Sequence, residues 1–160
     1  MTTYRYELTA RWTGNLGEGT SAYHAYGRNF EIIGNGKPVL LGSADSSFRG
    51  DSSKYNPEEL LLAALSGCHL LWYLNLCADA GVVVISYEDH PRGTMILGKD
   101  GRGAFSEALL CPKVCVKSED MKPLAADLHE KANELCFIAR SVNFPVRHDS
   151  KIVSKADWDS

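Results

Sequence analysis

From Leu60 to Ala78 the chain carries no Asp, Glu, Lys or Arg. The segment opens like a helix. Asn56 caps the orphan amides, Pro57 suits the first helical position, and Glu58 and Glu59 put negative charge at the positive end of the dipole. It closes like one too, on Gly81 ahead of the β-branched run Val82 to Ile85. A helix apolar on every face is buried in protein or lies in lipid. Ser66, His69 and Asn75 interrupt the run, no basic cluster flanks it, and the rest of the chain is polar and strand-rich, so the expectation is a central helix wrapped by sheet. About 24 residues would span about 36 Å. A chain of 160 residues does not cover that length on all sides, and a homodimer is the expected way to complete the burial.

The rest of the composition narrows the class. At 17.6 kDa the chain reads as one domain, residues 1–160. A net charge of −3 offers no basic footprint for nucleic acid, and neither nucleic acid nor membrane is an expected partner. No signal-peptide pattern precedes the first strand-like segment, so the expected location is intracellular and cytoplasmic. Five cysteines at irregular spacing read as thiols with individual roles rather than as a disulfide framework.

Taken in order, Tyr4 to Trp12 alternates as a strand, the Gly-rich stretch 14–19 turns, and Thr20 to Arg28 returns, which predicts a hairpin over 4–28. Phe30 to Ile33 and Pro38 to Leu41 flank a second turn. Ser43 to Tyr55 is a polar loop leading into the long helix. Val82 to Tyr87 and Gly93 to Leu97 are strand material, and Ala104 to Lys117 returns after a turn at 98–103. A second helix is expected from about Lys122 to Ser141, with Leu124, Leu128, Leu135 and Ile138 on or near one stripe. Val146 to Val153 is the last strand. Hairpins alternating with two helices make an α+β domain with mainly antiparallel sheet.

The cysteines separate by position. Cys111 and Cys115 on one strand lie about 13 Å apart, too far to share a metal ion unless the strand breaks at Pro112, and read as packing residues. Cys68 and Cys77 fall on opposite faces of the long helix, with Cys77 in the core. Cys68 follows Ser66-Gly67, whose small side chains allow close approach, and precedes His69. Cys136 falls within the second helix. Burial alone accounts for a lone thiol, so the residues by themselves leave Cys68 and Cys136 open between structural and catalytic roles.

The run Asn56-Pro57-Glu58-Glu59-Leu60, then Ala63-Ala64 and Ser66-Gly67-Cys68, resembles the signature of the OsmC/Ohr family (osmotically inducible protein C and organic hydroperoxide resistance protein), in its OsmC-like branch. In that family the reactive cysteine lies ten positions after the Glu, as Cys68 does after Glu58, and a second cysteine follows some 65 to 70 residues later; Cys136 lies 68 residues on. Arg11-Trp12-Thr13-Gly14-Asn15-Leu16 and Gly17-Glu18-Gly19-Thr20 are similar to the family's first hairpin. The resemblance implies intertwined homodimers with two interfacial active sites, and thiol-dependent peroxidases acting on organic hydroperoxides.

Carried onto this chain, it implies that Cys68 attacks the peroxide as thiolate and Cys136 resolves the sulfenic acid as a disulfide. Arg49 would lower the pKa of Cys68, held by Glu58 through a bidentate pair; Arg28 is the weaker alternative. Glu58 and Cys68 are separated by about 15 Å of helix, so they meet either across the dimer interface or through a kink near Pro57. A lipoyl-type dithiol is the implied reductant, with no metal or other cofactor, and Leu65, Leu71 and Trp72 are expected to line an apolar pocket. Adjacent helical positions diverge by about 100°, so His69 reads as a satisfied core or interface histidine rather than as a base for Cys68. One departure stands out, Cys136-Phe137 where the family has Cys-Pro. It keeps open a non-catalytic dimer holding a small apolar ligand at its interface, and beside it a thiol hydrolase or transferase acylated on Cys68.

Overall fold

The computed structural model describes residues 1–158. Two compact units divide the chain, residues 1–60 and residue 61 onward. The first holds a three-stranded antiparallel sheet, β1 (Thr9–Trp12), β2 (Phe30–Ile33) and β3 (Leu40–Gly42), in that order. β1 pairs with β2 from Thr9 opposite Ile33 to Trp12 opposite Phe30, which corrects the expected hairpin. Residues 20–28 are not its return strand, and 4–8 are not strand either. The reason lies in the close approach of Gly14 and Gly27. Gly27 donates to the Gly14 carbonyl at 2.7 Å and Thr13 to that of Asn29 at 2.9 Å, so the chain between them is cinched off as a loop. A Cβ on Gly14 would lie 2.0 Å from the Gly27 oxygen, so only glycine fits there. Arg28 then ties that loop together, donating to the carbonyls of Tyr26 and Tyr23 and stacking on both rings at 4.0 and 4.4 Å.

The long helix, α1 (Pro57–Asp79), is where the sequence placed it. A capping box starts it: Glu59 N–H donates to Asn56 Oδ1 at 2.8 Å, and Asn56 N–H donates to Glu59 Oε2 at 3.0 Å. It ends in a Schellman motif, with Gly81 at φ +74°, Val82 bonded to the Cys77 carbonyl and Gly81 to that of Ala78.

Beyond residue 60 lie two mixed sheets. One orders β4 (Val84–Asp89), β7 (Pro112–Val116) and β9 (Lys151–Ser154); the other orders β5 (Arg92–Leu97), β6 (Gly103–Leu110) and β8 (Val146–His148). The expected single strand 104–117 is thus two, broken at Cys111, and 146–153 is also two, each half joining a different sheet. The central pairs β6–β8 and β7–β9 are parallel, fed by crossovers rather than hairpins. A second helix, α2 (Lys122–Leu135), stops six residues before its expected end and buries Ala125, His129 and Ala132, one residue out of phase with the expected leucine stripe. A short α3 (Lys155–Trp158) follows β9. The architecture is α+β, with mixed sheets and a central helix.

Two apolar clusters hold α1. Tyr73 and Cys77 pack with Val82, Val114, Val116, Ala125 and Ala132, and Leu65 packs with Ala108 and Leu110. Only one stripe of α1 is buried, Leu65, His69, Tyr73 and Cys77, while Leu71 remains 67% exposed. Length and composition alone would let α1 cross a membrane, but its buried stripe carries His69 and Tyr73, both hydrogen-bonded to α2. Replacing Leu65 by Ala opens a cavity and costs about 2–5 kcal/mol. Removing the cap with Asn56→Ala is expected to cost about 1 kcal/mol, read as a lower urea midpoint at unchanged slope. Glu59→Gln, which keeps the reciprocal bond, should move the midpoint far less.

Candidate functional site: a thiol pair and a buried histidine pair

Helix α1 presents two faces. Positions 68, 71, 72 and 75 recur at helical spacing along one flank, and the buried 65, 69, 73 and 77 form the stripe adjacent to it. Cys68 is half-buried on the first. Its thiol neighbours that of Cys136 closely enough to act on its protonation, which brings the two thiols singled out from the sequence near one another. Cys136 is not inside α2, as expected, but its C-cap, with φ −62° and ψ 111°. The turn there lets its sulfur accept from Ala139 N–H at 3.4 Å, while its carbonyl accepts from Arg140 at 3.0 Å.

Burial dominates the chemistry of Cys136. It pushes the thiol up to about 11, and the neighbouring Cys68 adds to the rise, against the downward pull of the Ala139 bond. Cys136 is therefore a protonated thiol at neutral pH. Cys77, also buried, is raised by the same desolvation. Leu71, Trp72 and Asn75 line an open cavity of about 310 Å³ on the Cys68 face, and Phe137 meets Trp72 edge-on at 5.4 Å. Of the expected apolar lining, Leu71 and Trp72 are there. Leu65 is not; it is buried in the core against Ala108 and Leu110.

Behind the thiols lies a feature the sequence did not announce. His69 and His129 are both fully buried, and His69 Nε2 meets His129 Nδ1 at 3.0 Å. Their planes differ by 3° and their centroids lie 5.3 Å apart, the arrangement of two coplanar rings joined end to end by one hydrogen bond. Tyr73 stacks on His129 at 3.9 Å and donates to the Ala125 carbonyl at 2.9 Å. His148, on β8, approaches both rings at 5.7–5.8 Å. His69 is thus a core histidine, as expected, but not a satisfied one: its Nδ1 and the Nε2 of His129 have no partner. Burial first, then neighbouring histidines, pushes His69 down to about 4 and His129 to about 3. His129 is seven residues before Cys136, the one signal that could have found it from sequence.

The Arg and Glu expected to serve Cys68 lie in the first unit. Glu58 and Arg28 line one cavity of about 270 Å³, with Phe30, Ser43, Asp45 and Phe48 among its other walls. Arg49 does not line it. Arg49 is exposed, at φ +66° at the end of the short 3₁₀ turn Ser46–Phe48, and among the described residues no ion pair joins it to Glu58. Glu58 stands in the first turn of the helix, which runs continuously from Pro57 to Asp79.

Cys115 is buried in β7 and Cys111 is half-buried at the β6–β7 break. There Asp89 accepts from Cys111 N–H at 2.7 Å and from the Ser66 hydroxyl, a strut between α1 and the sheet. Among the described residues no group of three or more His, Cys, Asp or Glu side chains is disposed to hold a metal ion.

Comparison with known proteins bears on the family and the fold. The family model for OsmC-like protein matches residues 50–151. An OsmC-like protein of unknown function from Vibrio cholerae shares 26% identity over 92% of this chain and 99% of its own, with a TM-score of 0.83. An organic hydroperoxide resistance protein from Elizabethkingia anophelis shares the fold, with a TM-score of 0.67 at 17% identity over 96% and 100% of the two chains. An OsmC-like protein from Mycoplasma pneumoniae gives 0.70 at 14% over 95% and 99%. No curated protein matches the sequence.

The burial of the thiols makes an order of reactivity. With iodoacetamide at pH 8, Cys68 and Cys111 should be modified first, and Cys77, Cys115 and Cys136 at least about tenfold more slowly. Peptide mass spectrometry over a time course reads that order.

Proposed function

The chain belongs to the OsmC-like protein family, and from that premise we propose that it is a thiol-dependent peroxidase that reduces organic hydroperoxides. The observation that carries this reading is the proximity of Cys68 to Cys136. A reactive thiol needs a resolving partner within reach, and here a more exposed thiol neighbours one that burial keeps protonated. Cys68 thiolate attacks the distal peroxide oxygen; the O–O bond breaks, Cys68 becomes the sulfenic acid, and the departing alkoxide takes up a proton. The Cys136 thiol then displaces the hydroxyl, giving the Cys68–Cys136 disulfide and one water. A lipoyl-type dithiol returns both thiols by exchange and leaves as its own disulfide. Leu71, Trp72 and Phe137 give the Cys68 face an apolar rim that favours alkyl or lipid substituents over hydrogen peroxide.

The working unit in this reading is a homodimer in the cytoplasm. The exposed apolar face of α1 supplies the surface, and Glu58 acts by the cross-subunit route. The Arg28–Glu58 cavity of one subunit then serves Cys68 of the other. Arg28, which shares that cavity, takes the role expected of Arg49, lowering the thiol pKa and polarising the O–O bond.

Pre-reduced protein challenged with cumene hydroperoxide should lose two thiols per chain rapidly, and lose them far more slowly with hydrogen peroxide. Cys68→Ser abolishes the reaction, and Cys136→Ser halts at a sulfenic acid that dimedone traps. Arg28→Ala slows the first step by about a hundredfold while Arg49→Ala barely changes it; the opposite pattern returns the role to Arg49. Thiols inert to both peroxides would overturn the enzymatic reading and leave an apolar-ligand-binding dimer.

A further inference from the structure

The His69–His129 pair has no part in the peroxidase chemistry above, yet it sits in the same interface as the thiols. Along α1, His69 and Tyr73 face α2 with Cys68 on the flank beside them; along α2, Ala125 and His129 answer the first two, and Cys136 at its C-cap neighbours Cys68. Seven residues bring Cys136 back to the His129 face of α2, about 10 Å further along its axis. Whatever parts the rings also parts the sulfurs.

A neutral imidazole has one N–H donor and one acceptor nitrogen. Joined end to end, the two rings use one of each and leave the other two, His69 Nδ1 and His129 Nε2, with no partner. A metal ion cannot use this arrangement, because the two facing nitrogens already occupy each other at 3.0 Å. An added proton is also unwelcome. It would turn the unpartnered acceptor into an unpartnered donor bearing charge, in full burial. The surrounding groups offer no compensation. Tyr73 and Cys77 on α1 are neutral, both pushed upward by desolvation, as is Tyr87 on β4. Asp89 on β4 is engaged by Ser66 and Cys111. His148 on β8 adds positive charge when protonated, and Glu130 on α2 is exposed and lies 3.3 Å from His148.

We propose that the coplanar His69–His129 pair is an acid-sensitive latch: neutral, it clamps α2 on α1 and keeps Cys136 buried against Cys68; protonated, it releases α2 and exposes Cys136. In the closed form burial holds the rings down at about 4 and 3; once opened, each returns to the ordinary value near about 6.5. The latch is therefore fully closed above pH ~6.5 and weakens as pH falls from there toward ~4. Each histidine contributes up to about tenfold per pH unit, so the pair contributes up to about a hundredfold. This rests on the proximity of the two thiols and on no peroxide chemistry.

The test is labelling of the reduced, full-length protein with 4,4′-dithiodipyridine, which reacts with thiols in acid, from pH 7.5 to 4, each cysteine being followed by peptide mass spectrometry. Labelling of Cys136 should rise at least tenfold between pH 6.5 and 4, while Cys115, buried in β7, stays slow. His69→Gln/His129→Asn, which keeps amide groups at the bonded positions but removes both titrations, should abolish that step. Parallel rises at Cys136 and Cys115, a step that survives in the double variant, or no step at all would each overturn the latch. Circular dichroism at pH 7.5 checks the fold of the variant. If it does not fold, nitrogen NMR of the wild-type rings decides: protonation of His69 and His129 coincident with Cys136 labelling supports the latch, and protonation at a different pH overturns it.

Discussion

The contact between α1 and α2 is the interaction on which the rest of this structure depends. It is made by few residues and most of them are polar: one imidazole pair, one tyrosine hydroxyl on a backbone carbonyl, one ring stack and one thiol pair. An all-leucine seam would bury more apolar area, but it would tolerate sliding. Directional bonds at 3.0 and 2.9 Å fix both the rotation and the axial position of α2, which is what two sulfur atoms need to stay in reach. The unpartnered nitrogens are the cost of that specificity, since a half-satisfied polar network in the core weakens the fold it positions.

That view also accounts for the odd character of α1. Its composition demands burial on every side, but within one chain only the stripe from Leu65 to Cys77 is covered. The buried stripe carries the polar residues His69 and Tyr73, and the uncovered side carries Leu71 and Leu74. A helix organised for its own core alone would be patterned the other way round. Two packing surfaces on one helix, the first settled within the chain and the second left apolar, are what the proposed dimer would use.

Much of this was legible in the sequence because it is local. The caps of α1 involve residues three to five positions apart, so Asn56, Glu59 and Gly81 announced both ends. The thiol pair, by contrast, came from the family resemblance and not from the residues themselves. What was not legible is set by distant contacts. Nothing in Thr20 to Arg28 says that Gly14 and Gly27 will touch and throw the alternating segment out of the sheet. Strand splitting at Cys111 follows from Asp89 capturing its amide, a partner 22 residues away. The phase of α2 went to alanines and a histidine, where Tyr73 reaches the Ala125 carbonyl and stacks on His129; hydrophobic periodicity reads size as burial and does not see such contacts. Motif spacing singles out Arg49 along the chain, and it does not show that Arg28 shares a cavity wall with Glu58.

Phe137, standing where the resemblance implies proline, is reconciled by backbone geometry. Proline forces the residue before it out of the helical region into extended backbone. Cys136 has ψ 111° without it. The conformation is held here by contacts: Cys136 N–H reaches the Asn133 carbonyl at 3.3 Å, its sulfur accepts from Ala139, and Phe137 is anchored on Trp72. Proline would impose the turn covalently, in the unfolded chain as well as the folded one, whereas phenylalanine leaves it to tertiary packing. The same turn is then conditional on α1 and α2 remaining together, because Trp72 belongs to the first and Cys136 closes the second. In this chain the presentation of the second thiol is tied to the helix contact and is not independent of it.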